Sequence, residues 1–135
     1  MKKKRKRILS LILGLIVLLI VFLGIDYIPK KLIKIIPTTR VHMIEIQSGE
    51  TGEIKSVTED RQIKHIIDNF NDVKFQKGLM NFSNDYGFKM KIHGQSTGLG
   101  EIYYINSSSE IRYNSFSYTT VNTEIDYEFL KKLFS

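Results

Sequence analysis

The chain of 135 residues contains no cysteine. That absence removes disulfide bridges, thiolate metal sites, cysteine nucleophiles and a lipid-modified N-terminal cysteine together. Alanine is missing as well, which leaves a poor substrate for the small-x-small cleavage that ends a secretory signal peptide. Proline occurs twice, at Pro29 and Pro37. Acidic residues are absent from the start of the chain, and the basic excess sits there. The formal net charge is +6, yet residues 26–135 carry 14 basic and 14 acidic side chains, and residues 38–135 carry 11 and 13. No basic face for nucleic acid is implied, so nucleic acid is excluded as an expected partner.

What is present begins with the basic cluster itself. Lys2, Lys3, Lys4, Arg5, Lys6 and Arg7 precede an uncharged run, Ile8–Ile25, whose only polar side chain is Ser10. Eighteen residues at about 1.5 Å each cover roughly 27 Å, close to a bilayer core of about 30 Å. The apolar core of a signal peptide is shorter, about 7–15 residues. The sequence therefore predicts an uncleaved, single-pass signal anchor whose partner is the lipid bilayer. Six basic residues before the run, against Lys30, Lys31 and Lys34 after it, place the N-terminus in the cytoplasm and the remainder outside the cell membrane. Ser10 and Gly14 form a small-xxx-small pair that would let two such helices approach, although incidental small residues are the simpler reading.

The expected organisation is a cytoplasmic segment 1–7, a transmembrane segment 8–25, a juxtamembrane linker 26–39 and an extracytoplasmic domain 40–135, the size of one small domain. In the linker, Leu32, Ile35 and Ile36 alternate with lysines at helical spacing, which suits either a short surface helix or a plain spacer. Tyr27 stands where interfacial aromatics usually stand.

Within the domain, Arg40–Gln47 alternates as a half-buried strand, and Ile54–Val57 returns after a glycine turn. Thr58, Glu59 and Asp60 read as a helix start with a capping side chain. Ile63, Ile66, Ile67 and Phe70 then fall on one helical face. A short extended piece, Val73–Phe75, is followed by Lys77–Gly87, read as a loop. Strands are predicted at Phe88–His93, Glu101–Ile105, Glu110–Tyr113 and Phe116–Val121, with a hairpin loop at Gly94–Gly100, and Ile125–Phe134 closes as a helix. The expected fold is α+β, in β-β-α-β-meander-α order, with two helices on one face of an antiparallel sheet.

Val41–Glu53 (VHMIEIQSGETGE), Ile63–Phe75 (IKHIIDNFNDVKF), Ile105–Tyr118 (INSSSEIRYNSFSY) and Ile125–Phe134 (IDYEFLKKLF) resemble a Gram-positive family of uncharacterised domains. Its members are short proteins with an N-terminal anchor or lipoprotein signal and one α+β domain. The resemblance covers nearly all of residues 40–135 and implies an extracytoplasmic location in a Firmicute-like bacterium. It carries no assigned activity, so it transfers no functional residue. This chain departs from the lipoprotein members by lacking their cysteine.

Candidate chemistry is sparse. His42, His65 and His93 show no metal-ligand spacing. Glu50 and Glu53 flank a turn, and Glu59 and Asp60 open a helix, roles that account for them without acid–base catalysis. Gly94, Gly98 and Gly100 join two strands, whereas a phosphate loop joins a strand to a helix. No catalytic, metal or cofactor residue is assigned. The remaining candidates are aromatic: Tyr103, Tyr104, Tyr113 and Tyr118 lie on strands, where a tyrosine on the less buried face could stack on a sugar or contact a peptide. Tyr103 and Tyr104 are adjacent and must face opposite sides of the sheet. The expected function is a non-catalytic binding module for an envelope protein, peptide or polymer. The alternative is a small envelope hydrolase or its accessory subunit.

The orientation is directly testable, because any introduced cysteine is unique. A membrane-impermeant maleimide on intact cells should label Ser135→Cys and leave Lys4→Cys unlabelled. The reverse pattern would overturn the orientation.

Overall fold

The computed structural model describes residues 1–25, 27–31, 40–94 and 102–135. Helix α1 spans Lys2–Ile25. It is long and apolar enough to cross a membrane, with a mean hydropathy of 3.3 over its most apolar window, and none of that window is buried in the protein. The helix takes in the basic cluster because Lys and Arg have good helix propensity.

The domain follows as β1 (Val41–Ser48), β2 (Ile54–Val57), α2 (Asp60–Asp72), β3 (Phe75–Met80), β4 (Phe88–Gly94), β5 (Ile102–Ile105), β6 (Glu110–Tyr113), β7 (Phe116–Thr120) and α3 (Tyr127–Lys132). The seven strands form one sheet in the order β2-β1-β4-β5-β6-β7-β3. Every pairing is antiparallel. With the helices, this is the expected α+β class. Strands β4 to β7 form a meander. The first hairpin joins it beside β4, and β3 closes the opposite edge against β7. Asn114 and Ser115, at φ 48° and 66°, make the two-residue turn from β6 to β7, whose left-handed backbone matches the strand twist.

One sheet face is apolar and both helices cover it. Ile44, Ile46, Met90, Ile105 and Ile111 alternate into a core with Ile63, Ile66, Ile67 and Phe70 of α2 and Leu130 of α3. The same core takes Phe75 of β3 and Val73, the residue at the C-terminus of α2. Such burial contributes about 1.5–3 kcal/mol for each large apolar side chain, so the period-2 and period-3.6 patterns decide which faces meet.

Three local expectations are corrected. Residues 77–80, read as loop, belong to β3. Its burial fades along its length, from buried Phe75 to exposed Leu79 and Met80, so an edge strand with both faces wet left no alternation to read. Helix α2 begins at Asp60 with Glu59 as its N-cap, and no side chain caps it. Helix α3 is shorter than Ile125–Phe134, because Asp126 caps it by accepting from the Phe129 N–H at 3.1 Å. At the start of the linker, Lys30 pairs with Phe75 in both directions, at 3.0 and 2.9 Å. The expected helix at Leu32–Ile36, the hairpin loop 95–100 and Glu101 lie outside the described residues.

Phe70 is 1% exposed and lies in α2 against Tyr103, with ring centroids 6.4 Å apart. Phe70→Ala should lower stability by about 3–5 kcal/mol, read from chemical unfolding of the full chain in detergent. A loss under about 1 kcal/mol would contradict this packing.

Candidate functional site

Among the described residues, no helix lies on the second face of the sheet. Cross-strand pairing lays a polar row over five strands: Gln47 beside Lys89, Lys89 beside Tyr104, Tyr104 beside Arg112, and Arg112 beside Ser117. Arg112 is the exceptional member, because it is a charged side chain only 5% exposed. It is buried by the segment between β3 and β4, which folds back over this face. Its Nη1 donates to the Asp85 backbone carbonyl at 3.3 Å, and its guanidinium lies over the Tyr104 ring at 4.5 Å from the centroid. Tyr86 packs against Tyr104 at 5.3 Å between centroids.

Two contacts hold this segment in place. Gly49, in the turn after β1, donates its N–H to the Gly87 carbonyl at 2.8 Å. A Cβ on Gly49 would overlap the Tyr86 carbonyl oxygen, so glycine is required for the close approach. At the other end, the Asn81 N–H donates to the Ser115 carbonyl at 2.7 Å and its side-chain amide to Ser117 Oγ at 3.3 Å.

An open cleft of about 300 Å³ remains, lined by Asn81, Ser83, Asp85, Tyr86, Gly87, Asn106 and Arg112. Asn106 donates to Glu110 Oε1 at 3.3 Å, while its Oδ1 is buried without a partner. No carboxylate among the described residues pairs with Arg112. A guanidinium offers five donors in a planar fork. One is used here on a neutral carbonyl, and the ring of Tyr104 fixes the plane. Burying a cation without a counter-charge is costly, and a carboxylate or phosphate entering the cleft would offset that cost through charge-assisted hydrogen bonds.

Of the tyrosines considered from sequence, Tyr104 stands on this open face beside Arg112. Tyr103 and Tyr118 are in the core, and Tyr113 is half-buried and stacked on Tyr103 at 5.0 Å. The structure thus separates Tyr104 from the other three. Sequence reading passed over Arg112. Its one signal was an arginine set between Ile111 and Tyr113 in a strand of a chain with fifteen lysines and five arginines.

The histidines are dispersed. His42 is exposed on β1. His93 Nε2 is buried without a hydrogen bond and stands 4.0 Å from Glu45, too far for one. His65 Nε2 donates to Asp126 Oδ2 at 2.8 Å and its ring packs on Phe129 at 4.2 Å, which ties α2 to α3. Among the described residues no three His, Asp or Glu side chains gather as a metal site. Comparison of the chain with protein-family models, with curated proteins and with solved structures finds no match.

The His65 hydrogen bond holds the Asp126 carboxyl below its ordinary value of 3.8; partial burial opposes it and the Phe129 N–H assists. A carboxylate favoured in the folded state adds stability above its ordinary pKa and loses it as pH falls through the folded value. Asp126→Asn keeps a good cap and removes the charge. Its stability deficit, followed by urea unfolding across pH, should shrink as pH drops below 3.8. A deficit unchanged to the acid limit would refute the charge-based role.

Proposed function

We propose that this chain is a non-catalytic binding module, held at the outer face of the cell membrane by α1, that takes an oxyanion of an envelope protein, peptide or polymer into the Arg112 cleft. The observation that carries the reading is Arg112 itself: 5% exposed, walling an open cleft, and without a carboxylate partner among the described residues. Tyr104 supports it by orienting the guanidinium; Asn81, Ser83 and Asn106 supply neutral polar groups to the lining, of which Asp85 is the one acidic member. A carboxylate is the favoured group, because a flat acceptor pair matches the guanidinium edge and a peptide bearing it could also donate to the orphan Asn106 oxygen. The resemblance to uncharacterised Gram-positive anchored domains agrees with this placement outside the membrane. The hydrolase alternative has no comparable observation behind it: His65 and Asp126 are engaged between two helices, away from the cleft.

The test uses the full chain in lipid nanodiscs, titrated calorimetrically with three probes: short peptides with a free C-terminal carboxylate, the same peptides amidated, and phosphoserine peptides amidated at the C-terminus. Binding of a free-carboxylate peptide, lost on amidation and weakened at least about tenfold by Arg112→Gln, is the expected outcome, given about 1.5–3 kcal/mol for a hydrogen bond to a charged group. Preference for the phosphoserine peptide would keep the oxyanion site and replace the carboxylate. Equal binding by the wild type and Arg112→Gln would overturn the site.

A further inference from the structure

We propose that the far end of β3 and the residues after it rest in the lipid surface of the membrane that α1 spans. The inference depends on α1 being membrane-embedded and is independent of what the cleft binds.

Three observations on different parts of the chain converge. The first is position. After α1 ends at Ile25, the chain makes one more turn, with the Tyr27 N–H donating to the Gly24 carbonyl at 3.1 Å and the Ile28 N–H to the Ile25 carbonyl at 3.2 Å. Gln76 Nε2 then donates to the Tyr27 carbonyl, and Lys30 pairs with Phe75. The edge strand of the domain is therefore fastened to the residues that leave the membrane.

The second is direction. The Lys30–Phe75 pairing is antiparallel, so β3 runs from Phe75 to Met80 back toward the end of α1. Five residues of extended strand cover about 17 Å. The five residues from Ile25 to Lys30 can separate those ends by no more than about 17 Å, and the turn at Tyr27 and Ile28 shortens that span. β3 is thus long enough for Met80 to reach back as far as the helix end.

The third is chemistry. Among the described residues of the domain the returning end is the most exposed apolar part: Leu79 is 82% exposed, Phe82 72% and Met80 57%. Tyr27 and Ile28, at the helix end, are exposed too. A water-facing loop has no reason to gather three large apolar side chains within four positions, and an interfacial segment does. No acidic residue occurs between Asp72 and Asp85, so nothing in the segment repels an anionic leaflet.

One consequence follows for the cleft. Asn81 and Ser83, which line it, flank Phe82 in the same segment. With Phe82 in the lipid surface, the cleft opens beside the membrane, and its ligand is a group presented there.

The chain has no tryptophan, so a single introduced one reports alone. Three variants of the full chain are reconstituted in phosphatidylcholine–phosphatidylglycerol vesicles: Leu15→Trp in α1, Phe82→Trp, and Val121→Trp. Val121 is exposed and donates its N–H to the Lys74 carbonyl at 3.0 Å, at the end of β3 remote from the tip. Expected are quenching of Leu15→Trp and Phe82→Trp by lipids brominated along the acyl chain, at least two-fold in intensity, and quenching of Val121→Trp by aqueous iodide only. Phe82→Trp quenched by iodide and not by bromolipid, with Leu15→Trp still quenched by bromolipid, would overturn the lipid contact alone. Phe82→Trp shielded from both would also overturn it and assign the tip to a second copy of the chain. Loss of bromolipid quenching at Leu15→Trp would overturn the anchor and the tip together.

Discussion

The sheet presents one row of side chains to α2 and α3 and the other row away from them, and this one-sided burial is the constraint from which the rest follows. The covered row holds Ile44, Ile46, Met90, Ile105 and Ile111, and the apolar stripe of α2 has no other surface to cover. With about 100 residues to build from, a domain has material for one core and no more. The second sheet face is left to polar side chains and to whatever the connections can drape over it.

The segment from Asn81 to Gly87 is that covering. It is pinned at one end by Gly49 and at the other by the Asn114–Ser115 turn, and between them it encloses a guanidinium. Arg112 is held by a carbonyl below full hydrogen-bonding capacity and by the face of Tyr104. A guanidinium suits this place better than an ammonium would, because it is planar, stacks on rings and is more weakly hydrated. The cleft exists because the segment spans the face without filling it.

The edge of the sheet serves a different purpose. An unpaired edge strand invites association with another chain. Here the residues that leave α1 occupy the start of the β3 edge through the Lys30–Phe75 pair. The same contact shortens the tether between helix and domain, so the domain is seated close to the helix end. Cleft, edge and apolar tip thus derive from one arrangement, in which β3 forms the sheet edge beside the residues that leave α1.

Much of this was legible in the sequence where a pattern repeats. Alternation along Val41–Ser48 and Phe88–Gly94 and the 3.6-residue spacing of Ile63, Ile66, Ile67 and Phe70 specify which faces are buried, because burial of apolar area depends on period alone. The apolar run from Ile8 to Ile25 specifies a membrane-length helix by its length and lack of charge. The opposite orientation of Tyr103 and Tyr104 was equally determined, since neighbours on a strand cannot share a face. Position in the sheet was not. That β3 lies beside β7, that residues 77–80 are strand, and that Arg112 meets Asp85 across 27 positions depend on pairing between distant segments, which no local pattern encodes. The sequence by itself determined a helix of membrane-spanning length, most of the element types and the composition of the core. Only the tertiary structure decided that a single arginine would be buried on the uncovered face, because its burial comes from a remote segment folding over it rather than from anything about the arginine's own neighbours.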